Sequence, residues 1–249
     1  MDSSKFLITG ANGQLGNALR QKYPNAHFTD ATELNITSRE AVDSFDWSNI
    51  THIINAAAYT NVDGAETNQD LCMSINAEGV TNLVAAANAH DLTLAHISTD
   101  YVFDGTKDNH PEDEEPSPIS VYGRSKAEGD KEALKASKHY ILRSSWVIGE
   151  GHNFVRIMMG LADKNISPTV VNDQIGRLTF TDELVRAIDH LLNNQPTCGV
   201  YNMTNSGDPA SWADITREIF KLLDREDLTV TDTTTAEYFA GKENIAPRP

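Results

Sequence analysis

A small group of residues can be read for what it could do to a proton. Tyr122 and Lys126 stand four apart in VYGRSKAEGD, a helical pattern, so their side chains share one face. Thr99 and Asp100 close the run HISTD. Reducing a carbonyl by hydride leaves an alkoxide that needs a proton, and a free phenol, with a pKa of about 10, holds its proton too tightly to relay it well at neutral pH. An ammonium one helical turn away is expected to stabilise the phenolate and lower that value, and the Thr99 hydroxyl to add a hydrogen bond to the reacting oxygen. Arg124 and Lys131 point elsewhere on the helix and read as surface charges.

A second group could hold a phosphate. FLITGANGQLG spaces Gly10, Gly13 and Gly16 three apart, directly after an apolar run and at the opening of a helical pattern. In that setting glycines allow the tight turn and let the backbone approach a pyrophosphate, while the helix N-terminus supplies free amides. The next apolar run, AHFTD, ends at Asp30, about 20 residues after the first glycine, where an acid can accept hydrogen bonds from ribose hydroxyls. Ala31 and Thr32 follow with no cation to receive a 2′-phosphate, which favours NADH slightly over NADPH. A solvent-exposed turn is the plainer alternative for Asp30.

Both groups need a scaffold that brings them to one place. Short, nearly continuous apolar runs alternate with helical patterns from KFLITG to HYILRSSWVIG, the signature of a parallel sheet buried on both faces. The fold class expected is therefore α/β, a Rossmann-type doubly wound sheet, in which the carboxyl ends of strands face the ligand crevice. Thr99 would then sit at the end of the fourth strand, with the Tyr122 helix returning to the same crevice. After Gly149 the rhythm loosens. Residues 1–148 are expected to form the dinucleotide-binding domain and 149–249 a smaller substrate-binding lobe, interleaved with it and incomplete at its C-terminal end. DGTKDNHPEDEEPSP reads as a surface loop, and Trp47 and Trp212 as packing residues.

Composition narrows the partners. The formal net charge is −16 over 249 residues, which repels nucleic acid and anionic membrane surfaces. No apolar run approaches the length of a membrane span and no signal peptide is evident, so a cytoplasmic location is expected. Cys72 and Cys198 are far apart and the eight histidines lack metal-ligand spacing, so neither a disulfide nor a metal is expected.

The strings TGANGQLG, INAAAYTNVDGAE, STDYVFDG, VYGRSKAEGD, LRSSWVIGEGHNFV, VNDQIGRLTF and GVYNMTNSGDPASW occur in that order almost from end to end. Through them the chain resembles the extended short-chain dehydrogenase/reductases, and within them the branch of dTDP-4-dehydrorhamnose reductases. The resemblance implies NAD(P)H-dependent reduction of the C4 keto group of dTDP-4-dehydro-L-rhamnose. It implies a catalytic trio of Thr99, Tyr122 and Lys126, with Tyr122 as proton donor. It also implies cofactor contacts from Gly10, Asn12, Gly13, Gln14 and Leu15, from Asp30 and Asn35 at the adenosine end, from Ala57, Ala58, Tyr59 and Thr60 beneath the cofactor, and from Asn76, Tyr122 and Lys126. The sugar would meet Thr99, Asp100, Tyr122 and Trp146, whose flat apolar face suits a deoxysugar. The implied partner is a small sugar nucleotide, with a homodimer as one option. Departures from the family's pattern are Asn35 in place of an aspartate and Leu178 in place of a proline. Alternatives kept open are a non-catalytic dinucleotide-binding regulatory subunit of the same fold and a related sugar-nucleotide epimerase.

Overall fold

The central strands are apolar on both sides because each carries side chains into two separate cores. The computed structural model describes residues Met1–Pro249. Along the chain run β1 (Phe6–Thr9), α1 (Gln14–Lys22), β2 (His27–Thr29), α2 (Arg39–Asp43), β3 (His52–Asn55), α3 (Val62–Thr67), α4 (Gln69–Met73), α5 (Gly79–Ala89), β4 (Thr93–Thr99), α6 (Val121–Ala133) and β5 (His139–Ser144). There follow β6 (Val147–Ile148), α7 (Phe154–Asp163), β7 (Thr169–Val171), β8 (Ile175–Gly176), β9 (Thr179–Phe180), α8 (Thr181–Asn194), β10 (Gly199–Met203), β11 (Ala210–Ser211), α9 (Trp212–Leu222), β12 (Thr231–Thr233) and α10 (Thr235–Tyr238).

Six strands form one parallel sheet in the order β10-β5-β4-β3-β1-β2. Leu7, Ile53, Leu94 and Ile141 point to the face covered by α2, α5 and α6. Their neighbours Phe6, Ile8, Ile54, Ala95, Tyr140 and Leu142 point to the opposite face, against α1 and α8. This is the two-residue alternation of a strand, with both faces apolar. The chain leaves β1 toward β2 on one side and then crosses to β3 on the other, so the order reverses beside β1. Such a switch point opens a crevice at the carboxyl ends of the strands.

The C-terminal hundred residues divide between two places. Helix α8 packs on α1, and β10 is the outermost strand of the main sheet beside β5. Helices α7 and α9 and strand β7 instead build a third core around Met158, Ala162, Val170, Ala213, Ile219 and Phe220. No helix is long and apolar enough to cross a membrane.

Candidate active site

The glycine loop lies at the switch point. Gly10 has φ +70°, and a Cβ there would sit 2.6 Å from the backbone of Ala56 and Ala57, so only glycine fits between β1 and β3. Gly13 differs: a Cβ would meet only the Gly10 carbonyl oxygen, at 3.4 Å. What its missing side chain keeps clear is the cleft. Gly13 is also the N-cap of α1 and offers no side-chain cap, and no acceptor in the chain takes the N–H groups of Gln14, Leu15 or Gly16. Orphan amides at a helix N-terminus suit a diphosphate. Asp30, at the tip of β2, accepts a hydrogen bond from the Asn12 N–H at 2.9 Å through one carboxylate oxygen, tying loop to strand. Its own N–H donates to Glu33 at 3.0 Å, placing a second carboxylate beside the first. Asn35 folds its amide oxygen onto the N–H and hydroxyl of Thr37. These features fit a dinucleotide laid from the amides toward Asp30.

The cleft beginning there encloses about 990 Å³ and runs past Ala57, Ala58 and Thr60 to Thr99, Asp100, Tyr122, Lys126 and Trp146. The expected residues Gly10, Asn12, Gly13, Gln14, Leu15, Asp30 and Asn35 line the same cleft. Two others do not. Asn76 is buried behind the wall, where its side chain accepts from the Tyr59 N–H at 2.8 Å and donates to the Tyr59 carbonyl at 3.1 Å and to Ser125 Oγ at 2.9 Å. The Tyr59 ring packs on Ala65, Cys72 and Val121. The pair thus holds the Ala57–Thr60 segment in place from behind.

At the far end, Ser120 caps α6 by accepting from the Gly123 N–H, and Gly123 lets the helix press on the Tyr101 carbonyl, which a Cβ would strike at 2.2 Å. That close approach delivers Tyr122 to the end of β4, where the Tyr101 ring meets it edge-on with centroids 5.5 Å apart. Thr99 caps the short turn Asp100–Val102 and donates to Asp100 at 3.2 Å. Burial pushes the Asp100 carboxyl up to about 6, against the opposing hydrogen bonds from Thr99 and the local backbone.

Lys126 is 2% exposed and donates its ammonium to the Ile97 carbonyl at 2.7 Å. Burial pushes its pKa down to about 8. The Tyr122 phenol is pushed up, first by burial and then by the neighbouring Asp100 charge, with the Thr99 hydroxyl pulling the other way. The direction is opposite to the acidification expected from Lys126: burial is its first cause, and the Lys126 ammonium donates to the Ile97 carbonyl. The consequence favours proton donation, because a phenol that stays protonated across neutral pH is always loaded for a far more basic alkoxide.

A buried polar layer lies under Lys126, its members lined up by strand register that the sequence alone does not show. Thr9, Asn55 and His96 are register neighbours on β1, β3 and β4. Thr9 donates to Asn55 at 2.7 Å, and the Asn55 amide meets His96 Nδ1 at 3.1 Å. On α6, Asp130 pairs with Arg143 at 2.9 Å, both nearly fully buried. Its other oxygen lies 3.8 Å from His96 Nε2. Burial, then the Lys126 charge, holds His96 well below the usual imidazole range, so it is neutral.

Trp146 lines the cleft with φ +36°, a rare conformation for a large side chain. Its ring stacks on Trp212 with centroids 3.7 Å apart, and Phe154 leans on Trp212 at 4.3 Å. One indole face expected to be free for a sugar is therefore already covered by Trp212.

Residues 4–249 match the family described as the RmlD substrate binding domain. The chain is 39% identical to a dTDP-4-dehydrorhamnose reductase of Aggregatibacter actinomycetemcomitans over 99% of its own length and 88% of that relative. It is 36% identical to the enzyme of the same name from Sinorhizobium fredii, over 94% and 84%. The crystal structure of dTDP-4-dehydrorhamnose reductase from Bacillus anthracis in complex with NADP superposes with a TM-score of 0.91 at 34% identity, covering 98% of this chain and 87% of that one. The chain belongs to the RmlD substrate binding domain family and, with it, to the NAD(P)H-dependent oxidoreductases.

Proposed function

We propose that the protein reduces the C4 keto group of dTDP-4-dehydro-L-rhamnose, with Tyr122 as proton donor. The observation that carries this reading is that Thr99, Tyr122 and Lys126 share one cleft with the glycine loop and its orphan amides. When bound there, NAD(P)H supplies the hydride. Gln14, Leu15 and Gly16 hold the diphosphate through their N–H groups, and Gly13 leaves it room. Asn76 fixes the Ala57–Thr60 wall on which the dinucleotide lies. At the ketone, Tyr122 donates its proton to the carbonyl oxygen and Thr99 donates a hydrogen bond that strengthens as negative charge develops. Lys126 supplies a buried positive charge one helical turn below, favourable to that same negative charge.

At the adenosine end the reading is that NADH is slightly preferred. Asp30 and Glu33 present two carboxylates at the tip of β2, and a 2′-phosphate there would meet repulsion. The B. anthracis relative was solved in complex with NADP, so a relative of this fold does accommodate the 2′-phosphate, and the preference rests on Asp30 and Glu33 of this chain.

The test is direct. The purified protein should oxidise NADH or NADPH only when the 4-keto sugar nucleotide is supplied, and Tyr122→Phe should lower turnover by roughly 10² to 10⁴ while sugar-nucleotide affinity changes little. Turnover unchanged in Tyr122→Phe would overturn the assignment of the proton.

A further inference from the structure

Gln14 stands in the loop that receives the dinucleotide, yet its side chain is committed to the opposite wall of the cleft. Its Oε1 accepts from the Gly149 N–H at 2.9 Å and from Asn153 Nδ2 at 3.0 Å, and its Nε2 donates to the Val147 carbonyl at 3.4 Å. Asn153 is 8% exposed and is the N-cap of α7, where its Oδ1 accepts from the Arg156 N–H at 3.0 Å. The same Asn153 Nδ2 donates to the Gly149 carbonyl at 2.7 Å and the Gly151 carbonyl at 3.3 Å. One glutamine amide therefore joins the start of α1 to the start of α7 and organises the segment between Val147 and Asn153.

That segment leads to the sugar end by two routes. Along the backbone, Val147 follows Trp146, the strained residue in the cleft wall. Through space, Phe154 is the first residue of α7 and leans on Trp212, which stacks on Trp146. Glu150, Gly151 and His152, which Gln14 and Asn153 hold in place, line the cleft themselves.

We propose that Gln14 is a positioning residue that couples the two ligand sites: its backbone amide faces the dinucleotide diphosphate while its side chain sets the Val147–Asn153 segment and, through it, Trp146. The proposal rests on the sugar-nucleotide reductase reading. A ligand that orders the start of α1 orders the Gln14 side chain with it, so the sugar nucleotide meets a wall already set. By linkage, the sugar nucleotide must strengthen dinucleotide binding by the same factor.

The test measures that factor. NADH affinity is titrated by the fluorescence of the bound dinucleotide, with and without saturating dTDP-L-rhamnose, for the wild type, Gln14→Met and Asn153→Asp. The first variant keeps side-chain volume and the backbone amide. The second keeps an α7 cap but places a carboxylate against Gln14 Oε1, and it leaves the glycine loop untouched. The wild type is expected to bind NADH about tenfold more tightly when the sugar nucleotide is present, and both variants less than twofold more tightly. Thermal melts establish that each variant is folded. Folded variants that retain the wild-type factor, or a wild type that binds both ligands independently, would overturn the coupling. A wild type that binds NADH but not dTDP-L-rhamnose would overturn the substrate reading, and the coupling with it.

Discussion

Lys126 is held in a state that costs stability, and its removal should stabilise the protein while weakening catalysis. The side chain is 2% exposed, its one hydrogen-bond acceptor is the Ile97 carbonyl, and Asp130, the carboxylate whose charge favours the ammonium, is already paired with Arg143. Burial takes its pKa from 10.5 to about 8, a fall that corresponds to about 3 kcal/mol against the folded ammonium at pH 7. Lys126→Met conserves length and removes the charge, and it leaves the Ile97 carbonyl short of a donor at a cost of about 1 kcal/mol. The balance is a gain of about 2 kcal/mol, or ~4–8 °C in melting temperature for a chain of this size. The sign of the pH dependence follows from the depressed value. Between about 8 and 10.5 the unfolded chain binds more protons at this residue than the folded one, so wild-type stability from this group rises with pH through that window. The advantage of Lys126→Met should thus be full at pH 7 and fade by pH 10.5. Equilibrium urea unfolding at several pH values measures it. A variant less stable than wild type at pH 7, or an advantage unchanged up to pH 10.5, would refute the desolvation account.

Four further substitutions have outcomes that follow from the geometry. Gly10→Ala should destabilise the fold by several kcal/mol, because φ is +70° and a Cβ meets backbone at 2.6 Å; Gly13→Ala should leave the melting temperature nearly unchanged yet weaken dinucleotide binding at least tenfold, as thermal melts and NADH titration would show. Asp30→Ala should raise the NADPH-to-NADH ratio of kcat/KM by about tenfold, read from steady-state rates with both cofactors. Asp130→Asn should cost about 3–5 kcal/mol of unfolding free energy, since it leaves the Arg143 guanidinium buried and unpaired; urea unfolding provides the check.

The parallel sheet and its crevice were readable because they rest on local patterns: apolar runs of strand length, helical periodicity between them, and glycines spaced at the first turn. The members of the cleft were readable for a related reason, since Thr99 ends a strand and Tyr122 opens the next helix. Contacts across the fold were not. Nothing near Gln14 announces Asn153, 139 residues away, and nothing in GVYNM indicates that β10 pairs with β5. Asn76 and Tyr59 were placed in the right neighbourhood, but which side of the wall each would occupy depends on how closely α6 approaches. The polar layer under Lys126 did leave a trace, because Thr9, Asn55 and His96 interrupt or end otherwise apolar strands. Their alignment depends on strand register, which becomes visible only when the sheet is assembled. For Lys126 and Tyr122 the sequence shows only charges along a helix; the water removed around them, which sets the direction of both shifts, depends on the assembled fold.

The pairing of Trp146 with Trp212 gives the molecule an optical property of its own. Of its three tryptophans, Trp47 is enclosed in the core beside α2 and α5, far along the chain from the other two. The other two indoles lie 3.7 Å apart and nearly parallel, close enough for their ultraviolet transitions to mix. Ultraviolet circular dichroism should therefore carry a contribution from this stacked pair, and any ligand that turns Trp146 would register as a change in its amplitude without a chemical label.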